Sequence, residues 1–75
     1  MTEPMRVRTV LELGGAVHDR RVELGLTQAQ LAERANVTRE WVVRLEGGKP
    51  RVQMDRVFDL LRALDVEVVL HAKGH

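Results

Sequence analysis

The sequence predicts a mainly α-helical domain of four to five helices followed by one C-terminal β-strand. Three observations carry that expectation. Thr9, Thr27 and Thr38 each stand where the free N–H groups of a helix's first turn need an acceptor. Helix-ending residues answer them at Gly25, at Asn36-Val37 and at Gly47-Gly48-Lys49-Pro50. Beyond Asp65 the apolar period drops from about 3.6 to about 2, because Val66, Val68 and Leu70 alternate with Glu67 and His71.

Residues 1–8 read as a flexible or extended arm, with a frayed end from Met1 to Pro4 and an apolar–basic alternation over Met5-Arg6-Val7-Arg8. The helical domain spans 9–64. Its first helix opens at Thr9-Val10-Leu11-Glu12, a capping box in which the Thr9 hydroxyl accepts from the N–H three residues on and Glu12 reaches back. Leu13, Val17, Arg21 and Leu24 share one stripe of this helix, and Gly25 ends it. Gly14-Gly15 weakens it by about 1 kcal/mol per glycine. Close packing of a neighbouring helix, or an ordinary weak spot, would each account for the pair. Thr27-Gln28-Ala29-Gln30 opens a second helix reaching about Ala35, with Leu31 and Ala32 turned inward. Thr38 caps a third that reaches about Glu46. A fourth runs from about Gln53 to Leu64, with Met54, Val57, Phe58, Leu61 and Leu64 at helical spacing. The strand segment occupies 65–72 and a short tail 73–75.

Composition narrows the function classes. Seventy-five residues make one small domain, and a chain of that size buries only ~60% of its unfolded surface, so self-association is expected. The absence of cysteine excludes disulfides, zinc ribbons and thiol catalysis. At 44% hydrophobic and 31% charged the chain is too apolar for disorder. Its longest aliphatic run, Val68-Val69-Leu70, is far short of the ~20 residues that cross a bilayer. With no basic segment leading into an apolar one, a cytoplasmic location and no membrane partner are expected.

No catalytic apparatus is legible. His18, His71 and His75 are not at metal-ligand spacing and read as surface residues. Gly47-Gly48-Lys49 resembles part of a phosphate loop, but it follows a helix and precedes Pro50. No cofactor, metal or enzymatic activity is therefore expected.

The net charge of +1 names no partner, whereas its distribution does. Residues 34–51 hold Arg34, Arg39, Arg44, Lys49 and Arg51 against Glu40 and Glu46. Such a basic stretch fits nucleic-acid contact, although a merely solvated charged face gives the same pattern. The second and third helices are short and joined by a turn, an arrangement that lets the latter project into a major groove. Winding the third helix at about 100° per residue gathers Thr38, Val42, Leu45 and Glu46 on one side. Glu40, Val43, Arg44 and Gly47 fall on the other, with Arg39 and Trp41 on opposite borders. One side can pack while the other offers charge and hydrogen bonds.

The run Arg21-Val22-Glu23-Leu24-Gly25-Leu26-Thr27-Gln28, then Leu31-Ala32, Val37-Thr38, Val42 and Leu45-Glu46-Gly47-Gly48-Lys49, resembles the Xre/Cro-type helix-turn-helix repressors. The resemblance covers roughly 9–64 and implies a lambda-repressor-like DNA-binding domain. With the appended Leu-Asp-Val-Glu-Val-Val-Leu ending, the chain is most similar to HipB-type antitoxins. Those pair this strand between subunits and partner a HipA-type kinase toxin.

The resemblance implies roles for individual residues. Gln28, read as the second residue of its helix, is expected on a DNA phosphate, with simple helix-start polarity as the alternative. Thr38 joins the DNA-binding set at the start of the third helix, and Arg39, Glu40, Val43 and Arg44 match base-reading positions. Arginine can pair bidentately with guanine and glutamate can accept from cytosine N4. Val43 departs from the polar residue common there, so a thymine methyl replaces the hydrogen bond. Arg39 has a phosphate contact as its alternative, and Glu40 a favourable charge at its helix's positive end. Trp41 shields the core, with its indole N–H on a phosphate as a further role. Lys49 and Arg51 are expected on phosphates, with plain solvent exposure as the alternative. Arg21 and Glu46 form a structural salt bridge, since an inward Glu46 needs a partner.

The expected function is a homodimeric, sequence-specific repressor of a palindromic double-stranded DNA operator. It would also be the antitoxin of a type II toxin–antitoxin pair, binding a HipA-type kinase toxin and autoregulating its operon. A stand-alone or phage-type repressor is the alternative, and a pure protein-interaction module the more distant rival. Dimerisation is expected through Val66, Val68 and Leu70, the strand meeting its own copy antiparallel about a two-fold axis.

Overall fold

The computed structural model describes residues 4–49 and 51–74. The end segment Met1–Glu3, the break expected at Pro50 and the terminal His75 lie outside the described residues. Four helices order the chain: α1 (Val10–Glu23), α2 (Gln28–Ala35), α3 (Arg39–Glu46) and α4 (Met54–Ala63). No fifth helix occurs among the described residues.

Capping chemistry sets three of the four starts. The hydroxyls of Thr9, Thr27 and Thr38 accept from the N–H groups of Glu12, Gln30 and Trp41 at 3.0, 3.0 and 3.1 Å. At α2 the box closes, with Gln30 Oε1 accepting from the Thr27 N–H at 2.8 Å. At α1 the reach-back differs from the expected one. Glu12 Oε1 accepts from the N–H of Arg8 at 2.7 Å, while its Oε2 takes Arg8 Nη2 at 3.0 Å. Arg8 offers a cation together with an amide, and the carboxylate overshoots the cap residue to take both. The α2–α3 turn is set by Asn36, whose φ of 58° is one that asparagine tolerates better than most residues.

α2 packs against α3 and α4, and α1 against α3. The core consists of Val17, Leu26, Leu31, Ala32, Ala35, Val42, Leu45, Val57, Leu60, Leu61 and Leu64. Leu24, which shares a stripe with Leu13, Val17 and Arg21, is the exposed C-cap of α1. On α4, Met54 and Phe58 are exposed and Leu60 is fully buried. The buried stripe is Val57, Leu60, Leu61 and Leu64, which leaves Met54 and Phe58 on one flank of it.

The two glycines of α1 have separate explanations. A Cβ on Gly14 would lie 2.1 Å from the Leu45 carbonyl oxygen, so α1 and α3 meet backbone to backbone there. A Cβ on Gly15 would meet nothing within 4 Å, so Gly15 is the weak spot.

The expected C-terminal strand is not formed among the described residues. Val66 packs on the core and donates its N–H to the Leu61 carbonyl at 2.9 Å. Val68 and Leu70 are 51% and 91% exposed rather than laid on the helices. Nor does any backbone hydrogen bond join Met5–Arg8 to residues 66–71. A strand exists only as a pair, and the described residues offer no sheet edge for this segment to join.

Candidate nucleic-acid interface

α3 is divided lengthwise by burial. Val42 and Leu45 have no exposed surface, Trp41 and Glu46 are partly covered, and Arg39, Glu40, Val43 and Arg44 are exposed. The platform beneath fixes this orientation. Gly14 lets α1 touch the last turn of α3, and Gly48, at φ 75°, lets the following loop approach α1. A Cβ on Gly48 would fall 2.9 Å from Leu11 Cα. The loop is thereby pressed onto the start of α1, and Lys49 and Arg51 emerge from it exposed. Among the described residues, Arg39, Glu40, Arg44, Lys49 and Arg51 take part in no ion pair. Their charges face solvent.

Trp41 packs its ring against the core and walls a shallow groove of about 300 Å³ shared with Arg44, Leu45, Arg51, Val52 and Gln53. Two arginines and the chain's tryptophan thus line one groove where α3 gives way to the loop. Thr38 is exposed, but its hydroxyl accepts from the Trp41 N–H, so its first task is capping.

Arg21 and Glu46 meet in a bidentate pair joining α1 to α3. Arg21 Nε lies 2.7 Å from Glu46 Oε2 and Nη2 lies 3.0 Å from Oε1. Only 12% and 5% of the two side chains is exposed, and Arg21 Nη1 also donates to the Leu26 carbonyl at 2.8 Å. Hydrogen bonding to Glu46 raises the Arg21 pKa above its ordinary value. Gln28 sits beside the pair, its Nε2 donating to Glu46 Oε1 at 3.2 Å. Gln28 is thereby tied to the last residue of α3, next to the loop that carries Lys49 and Arg51.

Sequence reasoning missed one structural arginine. Arg20 Nε donates to the Leu64 carbonyl at 3.0 Å and so closes the end of α4 from α1. Nothing in the spacing of Arg20 distinguishes it from a solvated neighbour of Arg21. No group of three or more His, Asp or Glu side chains able to hold a metal occurs among the described residues, and no helix there is long and apolar enough to cross a membrane.

A short helix with a bare polar face, held out from a helical platform by a capped preceding helix, defines a helix-turn-helix domain. The chain belongs to the helix-turn-helix family of transcriptional regulators: the model of the helix-turn-helix domain matches residues 12–73. It is 35% identical over 69 residues to the HTH-type transcriptional regulator y4mF of Sinorhizobium fredii, covering 92% of this chain and 91% of that one. Among solved structures it resembles the restriction-modification controller protein C.AhdI from Aeromonas hydrophila, with 29% identity and a TM-score of 0.72 over 77% of this chain and 84% of that one. A chain of the HipA-HipB-O2-O3 complex matches at a TM-score of 0.84 and 19% identity over 92% of this chain and 97% of that one, a likeness of fold.

Proposed function

We propose that this regulator is a dimeric repressor that reads a palindromic double-stranded DNA operator with the outward face of α3. The observation carrying this reading is the division of α3, with Val42 and Leu45 wholly buried and Arg39, Glu40, Val43 and Arg44 exposed. An arginine held out on a rigid helix can meet guanine O6 and N7 together, and Glu40 can accept from a cytosine amine. Val43 supplies the apolar edge for a thymine methyl. Gln28 and Thr38 at the helix starts, Trp41 in its groove, and Lys49 and Arg51 on the loop take the phosphates. The C-terminal segment completes the reading. Val68, Val69 and Leu70 are too exposed for a settled monomer and offer a strand that an identical strand can pair antiparallel. A two-fold dimer then sets two copies of α3 ~34 Å apart on one face of the duplex. A cytoplasmic site of action goes with this function.

The antitoxin reading, with a HipA-type kinase as partner, is favoured by one observation. A chain of the HipB(S29A)-O2 20mer complex matches 96% of this chain at a TM-score of 0.87 and 19% identity, a likeness of fold along nearly the whole length. A stand-alone repressor has the same DNA face and the nearer sequence likeness to C.AhdI. Selection from randomised duplexes tests the common core of both: a palindromic consensus is expected, and enrichment of no sequence would refute it. Co-purification with the product of an adjacent kinase-like reading frame separates the two.

A further inference from the structure

The Glu46 carboxylate does more than close an ion pair. Its Oε2 takes Arg21 Nε, and its Oε1 takes both Arg21 Nη2 and Gln28 Nε2. Arg21 is itself pinned by the Leu26 carbonyl. The carboxylate is therefore held at both oxygens, with only 5% of the Glu46 side chain exposed. Three helices converge on it: α1 through Arg21, α3 through Glu46 and α2 through Gln28.

Gln28 begins α2 and is only half-buried. A primary amide carries two N–H donors. One is spent on Glu46, and the other has no acceptor among the described residues. The capping box employs the N–H groups of Thr27 and Gln30, so those of Gln28 and Ala29 are also without one. An unrestrained glutamine loses rotamer freedom when it grips a phosphate, whereas this one is already held.

We propose that Glu46 is a positioning residue for DNA contact, fixing the Gln28 amide so that its second N–H meets a backbone phosphate at the start of α2. This rests on the DNA-binding reading above. Recognition by α3 and anchoring by α2 are then coupled, because the last residue of α3 aims the first residue of α2. The ion pair supplies the rigidity, and the amide delivers it to the duplex.

The test is a double-mutant cycle read in DNA affinity on a selected operator. Gln28→Met keeps the length of the side chain and removes its hydrogen bonds. The joint replacement Arg21→Met with Glu46→Met removes the acceptor while leaving no buried charge unpaired, an exchange that cores often accept. Gln28→Met should weaken binding about tenfold, the scale of one hydrogen bond to a charged group. Its salt slope should not change, since Gln28 carries no charge. The joint variant, folded by circular dichroism, should lose the same factor, and adding Gln28→Met to it should cost nothing more. Normal operator affinity in the folded joint variant would overturn the proposal, as would an undiminished Gln28→Met loss in that background. If Gln28→Met alone left affinity unchanged, Gln28 would touch no phosphate and the proposal would fall while operator binding stood. Absence of any selected operator for the parent protein would instead remove the DNA-binding reading itself.

Discussion

Gly14 of α1 and Leu45 of α3 are in backbone contact, with only 2.1 Å between the Leu45 carbonyl oxygen and the place a Cβ on Gly14 would occupy. The neighbouring Gly15 faces open space. Substitution by alanine should therefore act in opposite directions at adjacent positions. Gly15→Ala should stabilise the domain by up to about 1 kcal/mol through helix propensity alone. Gly14→Ala should destabilise it by about 3 kcal/mol or more, because α1 must retreat from α3. Chemical denaturation of the two variants checks this, and like-signed changes would show that α1 and α3 are not in contact there.

The Arg21–Glu46 pair should behave as one unit. Removing one partner of a buried pair costs about 3–5 kcal/mol, since the other is left charged and dry. Arg21→Ala and Glu46→Ala should each lower the melting temperature sharply, and the double variant should fall well short of the sum. Additive losses would show two independent side chains.

Much of this framework was legible in the sequence, and the failures have physical causes. Thr9, Thr27 and Thr38 announced their helices because capping is local, decided within four residues. The two faces of α3 followed from periodicity for the same reason. On α4, Met54 and Phe58 satisfy helical spacing as well as Leu60 does, so only the packing of α2 against α4 could choose between the stripes. The Gly14-Gly15 pair stayed ambiguous because close approach is a tertiary property. Val66 to His71 has the alternation of a strand, but pairing needs an edge that the described residues of one chain do not offer. Gln28 was legible as a helix-start residue, whereas its bond to Glu46 depends on three helices meeting.

Acidity should act on the start of α1. The Arg8 side chain, then its backbone N–H, holds the Glu12 carboxyl below its ordinary value of 4.5. A carboxyl lowered in the folded state contributes stability that is complete above its unfolded value and lost as pH falls through the folded one. The Arg8 amide signal should therefore report a titration centred below 4.5, with loosening of the first turn of α1 as Glu12 protonates. Glu12→Gln should abolish that transition. A Glu12 titration at or above the ordinary value would contradict the contact.

Cutting the chain after Asp65 should separate folding from assembly. Among the described residues the fully buried core side chains all precede that point and the cut removes only the partly buried Val66 from the packing, so the helices should persist. The product is expected to sediment as a monomer and to bind a palindromic operator far more weakly. A truncated protein that still formed dimers would show that other surfaces, not residues 66–71, join the subunits.

The central claim is that α3 reads bases while the following loop holds the backbone, and Arg44 against Lys49 tests it most directly. Affinity is measured for Arg44→Ala and Lys49→Ala on a selected operator and on random duplex across a salt series. Arg44→Ala should cost about 1–3 kcal/mol on the operator and flatten preference at one base pair. Lys49→Ala should weaken both duplexes alike and make the salt slope shallower by about one. Equal losses on operator and random DNA for Arg44→Ala would contradict base readout by α3.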